Sequence, residues 1–390
     1  MRFVTSFAFG CAGTVRILHM DVLEINVQTI GVVMAAYSIL IALVEVPSGA
    51  ISDVWGRRNT KLLASWVMVG SYLMLAVASG LFDVVASAAL LGIGRALSSG
   101  AGDSWFVDEI GDAKDPHVLA GLSRSEAAHN VGFALGSLSG ALLPQLYVDS
   151  VATELIFAPV FALGAVMLLI DIVITLRCMV EQRPSSAISI DGVFATTLAG
   201  IRNTLDAARV RWTAFGMVVV GGAIACTELL TPLGLTDSVG TERALVIFGP
   251  LVAGSWLISA VSSFFTERFE RALGSIQRST GVLLVALAAV VVPVGYGSWV
   301  NAVISYIGVN FILGALLPLL STTLHQHVRS SNRSAAASTL NLSMMIGAAG
   351  ASFLVGGFGG GRAVIVVAAF AMIAAIATFA VPAPEQLAKS

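Results

Sequence analysis

Five charged side chains lie inside long apolar stretches of the sequence: Arg16, Glu45, Arg95, Asp103 and Glu228. If these stretches cross a membrane, each charge costs about 2.5–3.5 kcal/mol on insertion scales, so each needs a partner or a water-filled cavity. A carboxyl group in such a place can take up and release a proton, and an arginine can pair with it. We therefore interpret the five residues as candidates for proton coupling and for the lining of a central cavity.

The composition predicts an all-α membrane protein. Hydrophobic residues make up 57% of the 390 residues and charged residues 11%, against about 25% charged residues in soluble proteins, which excludes a soluble globule and a disordered chain. The net charge of −2 gives no electrostatic basis for nucleic-acid binding. A membrane helix needs roughly 20 apolar residues. Twelve segments qualify: 3–20, 29–51, 61–80, 84–107, 125–146, 153–176, 211–235, 243–265, 278–296, 298–324, 334–357 and 362–381.

The basic residues predict the orientation of these spans. With both termini in the cytoplasm, only Arg243 and Arg362 of the 21 Lys and Arg fall outside, while Arg16 and Arg95 lie within spans. This is a strong positive-inside bias. We expect a multi-pass protein of an inner, cytoplasmic-type membrane, because the spans are helices and not barrel strands. The sequence contains no ATP-binding glycine loop and no nucleophile–base or metal-ligand constellation, so we expect no enzyme activity, no cofactor and no metal.

Two sequence echoes predict a duplicated architecture. Arg124-Ser125-Glu126 opens span 5 much as Arg333-Ser334-Ala335 opens span 11. The loop Ser52–Arg58 after span 2 resembles Thr266–Arg271 after span 8, at nearly the same offset. A long segment divides the spans six and six, and its apolar residues recur at helical spacing, although a flexible linker is the alternative. The predicted parts are an N-terminal six-helix bundle at 1–176, a cytoplasmic linker with an amphipathic helix at 177–210 and a C-terminal six-helix bundle at 211–390.

The loop between spans 2 and 3 carries a motif that resembles a known family. Gly49-Ala50-Ile51-Ser52-Asp53-Val54-Trp55-Gly56-Arg57-Arg58 matches the G-x-x-x-D-x-x-G-R-[RK] signature of the major facilitator superfamily. Glu45-Val46-Pro47-Ser48 before it resembles bacterial drug-efflux-like proton antiporters. The resemblance implies the major facilitator fold, with twelve transmembrane helices in two pseudo-symmetric six-helix bundles. It also implies that spans 1, 4, 7 and 10 line the cavity and that spans 3, 6, 9 and 12 face lipid.

The resemblance further implies roles for two groups of residues. In the family, the motif forms a charge cluster that latches the two halves in the outward-facing state. The latch residues would be Gly49, Asp53, Gly56, Arg57 and Arg58, with Asp108 as the acidic partner; the alternative is that the arginines only enforce topology. Antiporters of the family carry a glycine motif in span 5, kept here as Gly132, Gly136 and Gly140, with Ser137 in place of a proline. Ordinary helix packing also explains such small residues.

The charges within the spans suggest how a proton could be coupled. Arg16 lies about 20 Å along span 1 and Glu228 about 26 Å along span 7, so both fall in the outer half. Their offset is close to that of the echoed motifs, and Gly10 matches Gly222 at the same offset. We expect Arg16 and Glu228 to pair when the outer side closes and protonation of Glu228 to weaken the pair; a static ion pair is the alternative.

Three carboxylates lie nearer the inner side. Asp103 and Glu45 are each a candidate carrier of the exchangeable proton, and each is equally a candidate for neutralisation by a nearby arginine, including Arg95. Asp171 of span 6 lies on a span that the resemblance places against lipid, close to its inner end. We expect its side chain to reach the membrane interface.

Taken together, the sequence predicts a secondary active transporter that exports a small amphipathic or cationic molecule in exchange for protons by alternating access. Acidic cavity residues favour a cation, whereas Arg16 and Arg95 allow an anion or a zwitterion. Candidate substrate contacts are Trp105, Trp256, Asn301, Tyr306 and Asn310. The alternatives are a proton symporter that imports a small nutrient and a non-transporting membrane receptor. The expected partners are the small-molecule substrate, protons and the lipid bilayer, with the protein as a monomer.

Overall fold

The part of the chain that the structure describes is almost entirely helical. The computed structural model describes residues 1–98, 105, 116–146, 155–180, 208–296, 298–327 and 333–380. Thirteen α-helices and no strand occur in these residues. The first six are α1 (Arg2–Val22), α2 (Val27–Trp55), α3 (Arg57–Ala76), α4 (Leu81–Ser98), α5 (Pro116–Leu142) and α6 (Ala158–Cys178). The next seven are α7 (Ala208–Val239), α8 (Thr241–Ser263), α9 (Thr266–Leu273), α10 (Ile276–Val291), α11 (Trp299–His327), α12 (Arg333–Phe358) and α13 (Gly360–Ala380).

The predicted membrane spans are confirmed as helices, in the predicted order. Within the described ranges, ten helices are long and apolar enough to cross a membrane. Helices α3 and α5 are not among the ten because polar residues lower their mean hydropathy; these include Lys61 in α3 and Glu126 in α5. Helix α9, of eight residues and with no buried side chain, lies between predicted spans 8 and 9 and was not expected as a separate helix.

Two compact units make up the chain. Unit 1 contains the described residues of Met1–Ala195 and of Leu235–Gly254, and unit 2 those of Thr196–Gly234 and Ser255–Ser390. The predicted bundle boundaries at 176 and 211 stay a prediction, because residues 181–207 lie outside the described ranges. The predicted amphipathic helix of the linker also falls there.

Packing within each unit leaves apolar side chains on its outside. In unit 1, α1 packs along α5, and α3 packs against α4 and α6. In unit 2, α10 packs against α13 and α11. Large apolar side chains such as Leu43, Phe82 and Ile376 are exposed. Such side chains are stable on an outer surface when hydrocarbon, rather than water, surrounds the helices.

Candidate functional site

Two arginines of unit 1 converge on one tyrosine. Arg16 of α1 holds its guanidinium group over the ring of Tyr37, 4.7 Å from the ring centroid. Arg95 of α4 donates a hydrogen bond from Nη1 to Tyr37 Oη at 2.9 Å. Tyr37 lies on α2, and only 5% of its surface is exposed. Three helices therefore bring two positive charges to one phenol, and we call Arg16, Tyr37 and Arg95 the arginine–tyrosine cluster.

Helix α1 presents this cluster on one face. Phe9, Gly13 and Arg16 follow one another at intervals of four and three residues, which places them on the same side of a helix. The guanidinium carbon of Arg95 lies 5.7 Å from the centroid of the Phe9 ring, and Gly13 is exposed. The cluster therefore borders an accessible surface that is partly aromatic.

Arg16 keeps an unused hydrogen-bond donor. Its Nε atom is buried and has no hydrogen-bond partner among the described residues. Within the described part of unit 1, no salt bridge joins Arg16 to a carboxylate. Its predicted partner Glu228 belongs to unit 2, so that pairing stays a prediction.

Glu228 lies on an exposed side of α7 in unit 2. Tyr306 of α11 is buried, with 5% of its surface exposed. Asn310, one turn further along α11, donates from Nδ2 to the carbonyl oxygen of Tyr306 at 2.9 Å. Asn301 is exposed and lies on a different face, because five residues turn a helix by about 140°. Tyr306 and Asn310 therefore lie on one side of α11, and Asn301 lies on another.

The glycine row of α5 forms a close contact between helices. A Cβ atom at any of its three positions would overlap a backbone carbonyl oxygen of α1. The contacts are Gly132 with Phe3, Gly136 with Phe7 and Gly140 with Cys11. The three glycines therefore let α5 pack closely against α1, so ordinary helix packing explains them.

Unit 2 repeats this contact. A Cβ atom at Gly347 of α12 would overlap the carbonyl oxygen of Val218 in α7. The offset from Gly136 to Gly347 equals the offset from Phe7 to Val218, so each unit contains the same pair of closely packed helices. This is direct structural support for the internal repeat that the sequence echoes suggested.

The repeat corrects one sequence match. A Cβ atom at Gly10 would overlap backbone atoms of α5, just as one at Gly221 would overlap backbone atoms of α12. The offset from Gly10 to Gly221 is the same as that from Gly136 to Gly347. The match of Gly10 with Gly222 is therefore wrong by one residue, and the counterpart of Arg16 is Thr227. Since one residue turns a helix by about 100°, Arg16 and Glu228 occupy different faces of equivalent helices.

An ion pair that the sequence did not reveal is buried in unit 1. Nζ of Lys61 in α3 lies 3.0 Å from Oδ2 of Asp171 in α6, with 7% and 0% of the two side chains exposed. Lys61 also donates to Ser98 Oγ at 3.1 Å and to Thr5 Oγ1 at 3.3 Å. Ser65 donates to Asp171 Oδ2 at 2.9 Å. The expectation that Asp171 reaches the interface is therefore wrong, because its carboxylate is held inside the helix bundle.

The motif between α2 and α3 forms a sharp turn. Gly56 ends α2 with φ at 96°, a conformation that glycine adopts more easily than other residues. Arg58 donates from Nη2 to the carbonyl oxygen of Leu176 at 2.8 Å, in the last turn of α6, where a cation is favourable. Arg57 is half-buried at the start of α3. The latch stays a prediction, because the surroundings of three of its residues lie outside the described part: Gly49, Asp53 and Asp108.

Those of the remaining predicted residues that the structure describes lie on α2, on α8 and next to the end of α6. Trp105 donates from Nε1 to the carbonyl oxygen of Val180 at 3.1 Å, after the end of α6. Trp256 is half-buried on α8, and Glu45 is half-buried on α2. Asp103 lies outside the described residues.

The fold and the repeat define a multi-pass helical membrane protein with two related sets of helices. A family model described as Major Facilitator Superfamily matches residues 1–349. The chain belongs to this superfamily and is a membrane transporter of the major facilitator type. No curated protein matches the sequence.

Solved structures of other transporters share the fold. The crystal structure of the nucleoside transporter NupG has a TM-score of 0.73 at 14% identity, over 97% of this chain and 96% of that one. A POT family transporter in complex with 5-aminolevulinic acid has a TM-score of 0.72 at 17% identity, over 96% and 93%. The human organic anion transporter MFSD10 has a TM-score of 0.64 at 16% identity, over 97% of both chains. At these identities the likeness shows the fold alone.

Proposed function

We propose that this transporter is proton-coupled and exports a small amphipathic or cationic molecule in exchange for protons. The observation that carries the proposal is the position of Glu228, an exposed carboxyl group within the 32-residue apolar helix α7. A carboxylate facing hydrocarbon costs about 2.5–3.5 kcal/mol, so Glu228 is best explained as facing a cavity. Protonation of Glu228 changes its charge by one unit.

In the proposed mechanism, binding and release of a proton are coupled to the opening and closing of the outer side. Arg16 would pair with Glu228 when the outer side is closed, although the two are not equivalent positions of the repeat, and a proton on Glu228 would release the pair. Glu45 and Asp103 are the other candidate proton carriers. The latch motif around Gly56 would stabilise the outward-facing state. We further propose a monomer in the cytoplasmic membrane, with both termini in the cytoplasm, on the distribution of basic residues.

The direction of transport has a second candidate. Export is supported by the resemblance of the segment before the motif to drug-efflux-like antiporters. The glycine row, however, has a packing counterpart at Gly347 in unit 2. Helix packing therefore explains the row better than antiport does. Uptake by proton symport is therefore the second candidate. The structural neighbours include a nucleoside transporter and an organic anion transporter.

Proteoliposomes with an imposed pH gradient test the proposal. A panel of radiolabelled amphipathic cations and organic anions is followed with the gradient in each direction. Antiport predicts that solute moves against the proton flow, and symport predicts movement with it. Glu228→Gln should lose the dependence on the pH gradient, whereas Glu242→Gln, at an exposed position in the first turn of α8, should keep it. Transport by the wild type that ignores the gradient would refute proton coupling.

A further inference from the structure

We infer that the arginine–tyrosine cluster binds an anionic group of the transported molecule, a carboxylate or a phosphate carried on a small apolar body. The inference rests on the proposed function, since it takes the cluster as part of the substrate path. It replaces the expected cationic substrate with an anion or a zwitterion.

The donors of the cluster fit an oxyanion. A guanidinium group has five N–H donors in a planar fork that matches the oxygens of a carboxylate or a phosphate. Arg16 has a buried Nε–H without a partner, and its guanidinium lies stacked on Tyr37. The Tyr37 oxygen accepts a bond from Arg95, which leaves the phenol proton to donate. Two guanidinium groups and one hydroxyl group can therefore converge on the same ligand.

The charges of unit 1 point the same way. Where the fold buries Lys61, it supplies the carboxylate of Asp171 at 3.0 Å. Arg16, also in a membrane helix, has no carboxylate partner in the described part of the same unit. It lies instead on an aromatic ring that a second arginine also contacts. A bound anion would compensate the charge of Arg16 and stabilise this arrangement.

The surface beside the cluster suits an apolar body. The Phe9 ring lies under the Arg95 guanidinium, and Gly13 lies between Phe9 and Arg16 on the same face of α1. A Cβ atom at Gly13 would meet only the end of the Phe133 ring, at 3.9 Å. The absence of a side chain at Gly13 thus leaves room along α1 for a small hydrocarbon or aromatic group.

Binding by the purified protein tests the inference without any pH gradient. The protein in lipid nanodiscs is titrated calorimetrically with benzoate and phenyl phosphate. Benzamide serves as the neutral match and benzyltrimethylammonium as the cationic one. We expect saturable binding of at least one anion and none of the neutral or cationic probes. Binding of the cation, or anion binding no tighter than that of benzamide, would overturn the inference.

Substitutions locate the anion at the cluster. Arg16→Ala and Arg95→Ala should each weaken anion binding about tenfold or more, as expected for loss of a charge-assisted hydrogen bond. Tyr37→Phe should weaken it about two- to tenfold. Arg362→Ala, at an exposed position in the first turn of α13, should leave it unchanged. If Arg16→Ala does not fold, Arg16→Lys keeps the charge but removes the planar fork, and should still bind more weakly.

The outcomes separate this inference from the proposed function. Folded cluster variants that bind anions like the wild type would overturn the inference and leave proton-coupled transport intact. Anion binding that depends on Arg16, together with transport that ignores the pH gradient, would support the inference and refute the proton coupling.

Discussion

The buried ion pair between Lys61 and Asp171 offers a quantitative test of how unit 1 is stabilised. Lys61→Met would leave the Asp171 carboxylate in a fully buried position with Ser65 as its donor. Asp171→Asn would leave the Lys61 ammonium with two hydroxyl groups for partners. Removing one member of a buried pair typically costs about 3–5 kcal/mol, because the other charge stays without compensation.

The double variant distinguishes a charge effect from a packing effect. Lys61→Met combined with Asp171→Asn removes both charges and retains most of the volume. Replacing both members of a buried pair is often close to neutral. We therefore expect the double variant to lose less stability than either single variant, which is strong non-additivity between contacting residues.

Thermal unfolding of the purified protein in one detergent measures these effects. At about 2 °C per kcal/mol for a unit of roughly 200 residues, the single variants should melt about 6–10 °C below the wild type. The control is Glu126→Gln, which breaks an exposed ion pair of 3.8 Å with Arg2 in the same unit and should shift the midpoint by less than about 2 °C. Single variants that melt like this control, or a double variant equal to the sum of the two, would refute the reasoning.

Two further predictions concern helix packing. Gly136→Ala and Gly347→Ala place a methyl group against a backbone carbonyl oxygen, and each should lower the free energy of unfolding by about 1–3 kcal/mol. The control is Gly254→Ala, where no atom lies within 4 Å of the added Cβ; it should be neutral or stabilising by up to about 1 kcal/mol. Melting curves of the three variants check this prediction. Equal effects of the three substitutions would contradict it. Arg58→Ala removes the bond to the Leu176 carbonyl and should cost about 0.5–1.5 kcal/mol in the same assay, with Arg58→Lys recovering part of the loss.

Much of the fold could be predicted from the sequence because a membrane constrains it strongly. Helices that cross hydrocarbon must satisfy their own backbone, so long apolar runs fix their number and order. The internal repeat was also visible, but the echoed motifs give its offset only to within two or three residues, since loops of different length blur it. The offset follows from the backbone contacts between helices, which make Gly10 and Gly221 equivalent positions of the repeat.

The side-chain clusters were less predictable, because they join residues that are distant in the sequence. Arg16 and Arg95 were recognised as charges within membrane spans, but Tyr37 is an ordinary aromatic residue in an apolar helix and nothing nearby marks it. The pairing of Lys61 with Asp171 was missed because both lie on helices that the family resemblance places against lipid. Opposite charges on two such helices are a usable signal, since neither charge is stable in hydrocarbon alone.

The central proposal is that water reaches Arg95 of unit 1 and Glu228 of unit 2 from each side of the membrane in turn. Cysteines placed at these positions, with the exposed native Cys178 first replaced by serine, are treated in oriented vesicles with a membrane-impermeant thiol reagent from either side. Cysteines at Leu43 and Ile376, whose side chains are 66% and 62% exposed on apolar surfaces, report contact with lipid. The account predicts reaction at 95 and 228 from both sides and none at the two lipid-facing positions. Positions 95 and 228 as unreactive as the lipid-facing pair would contradict it.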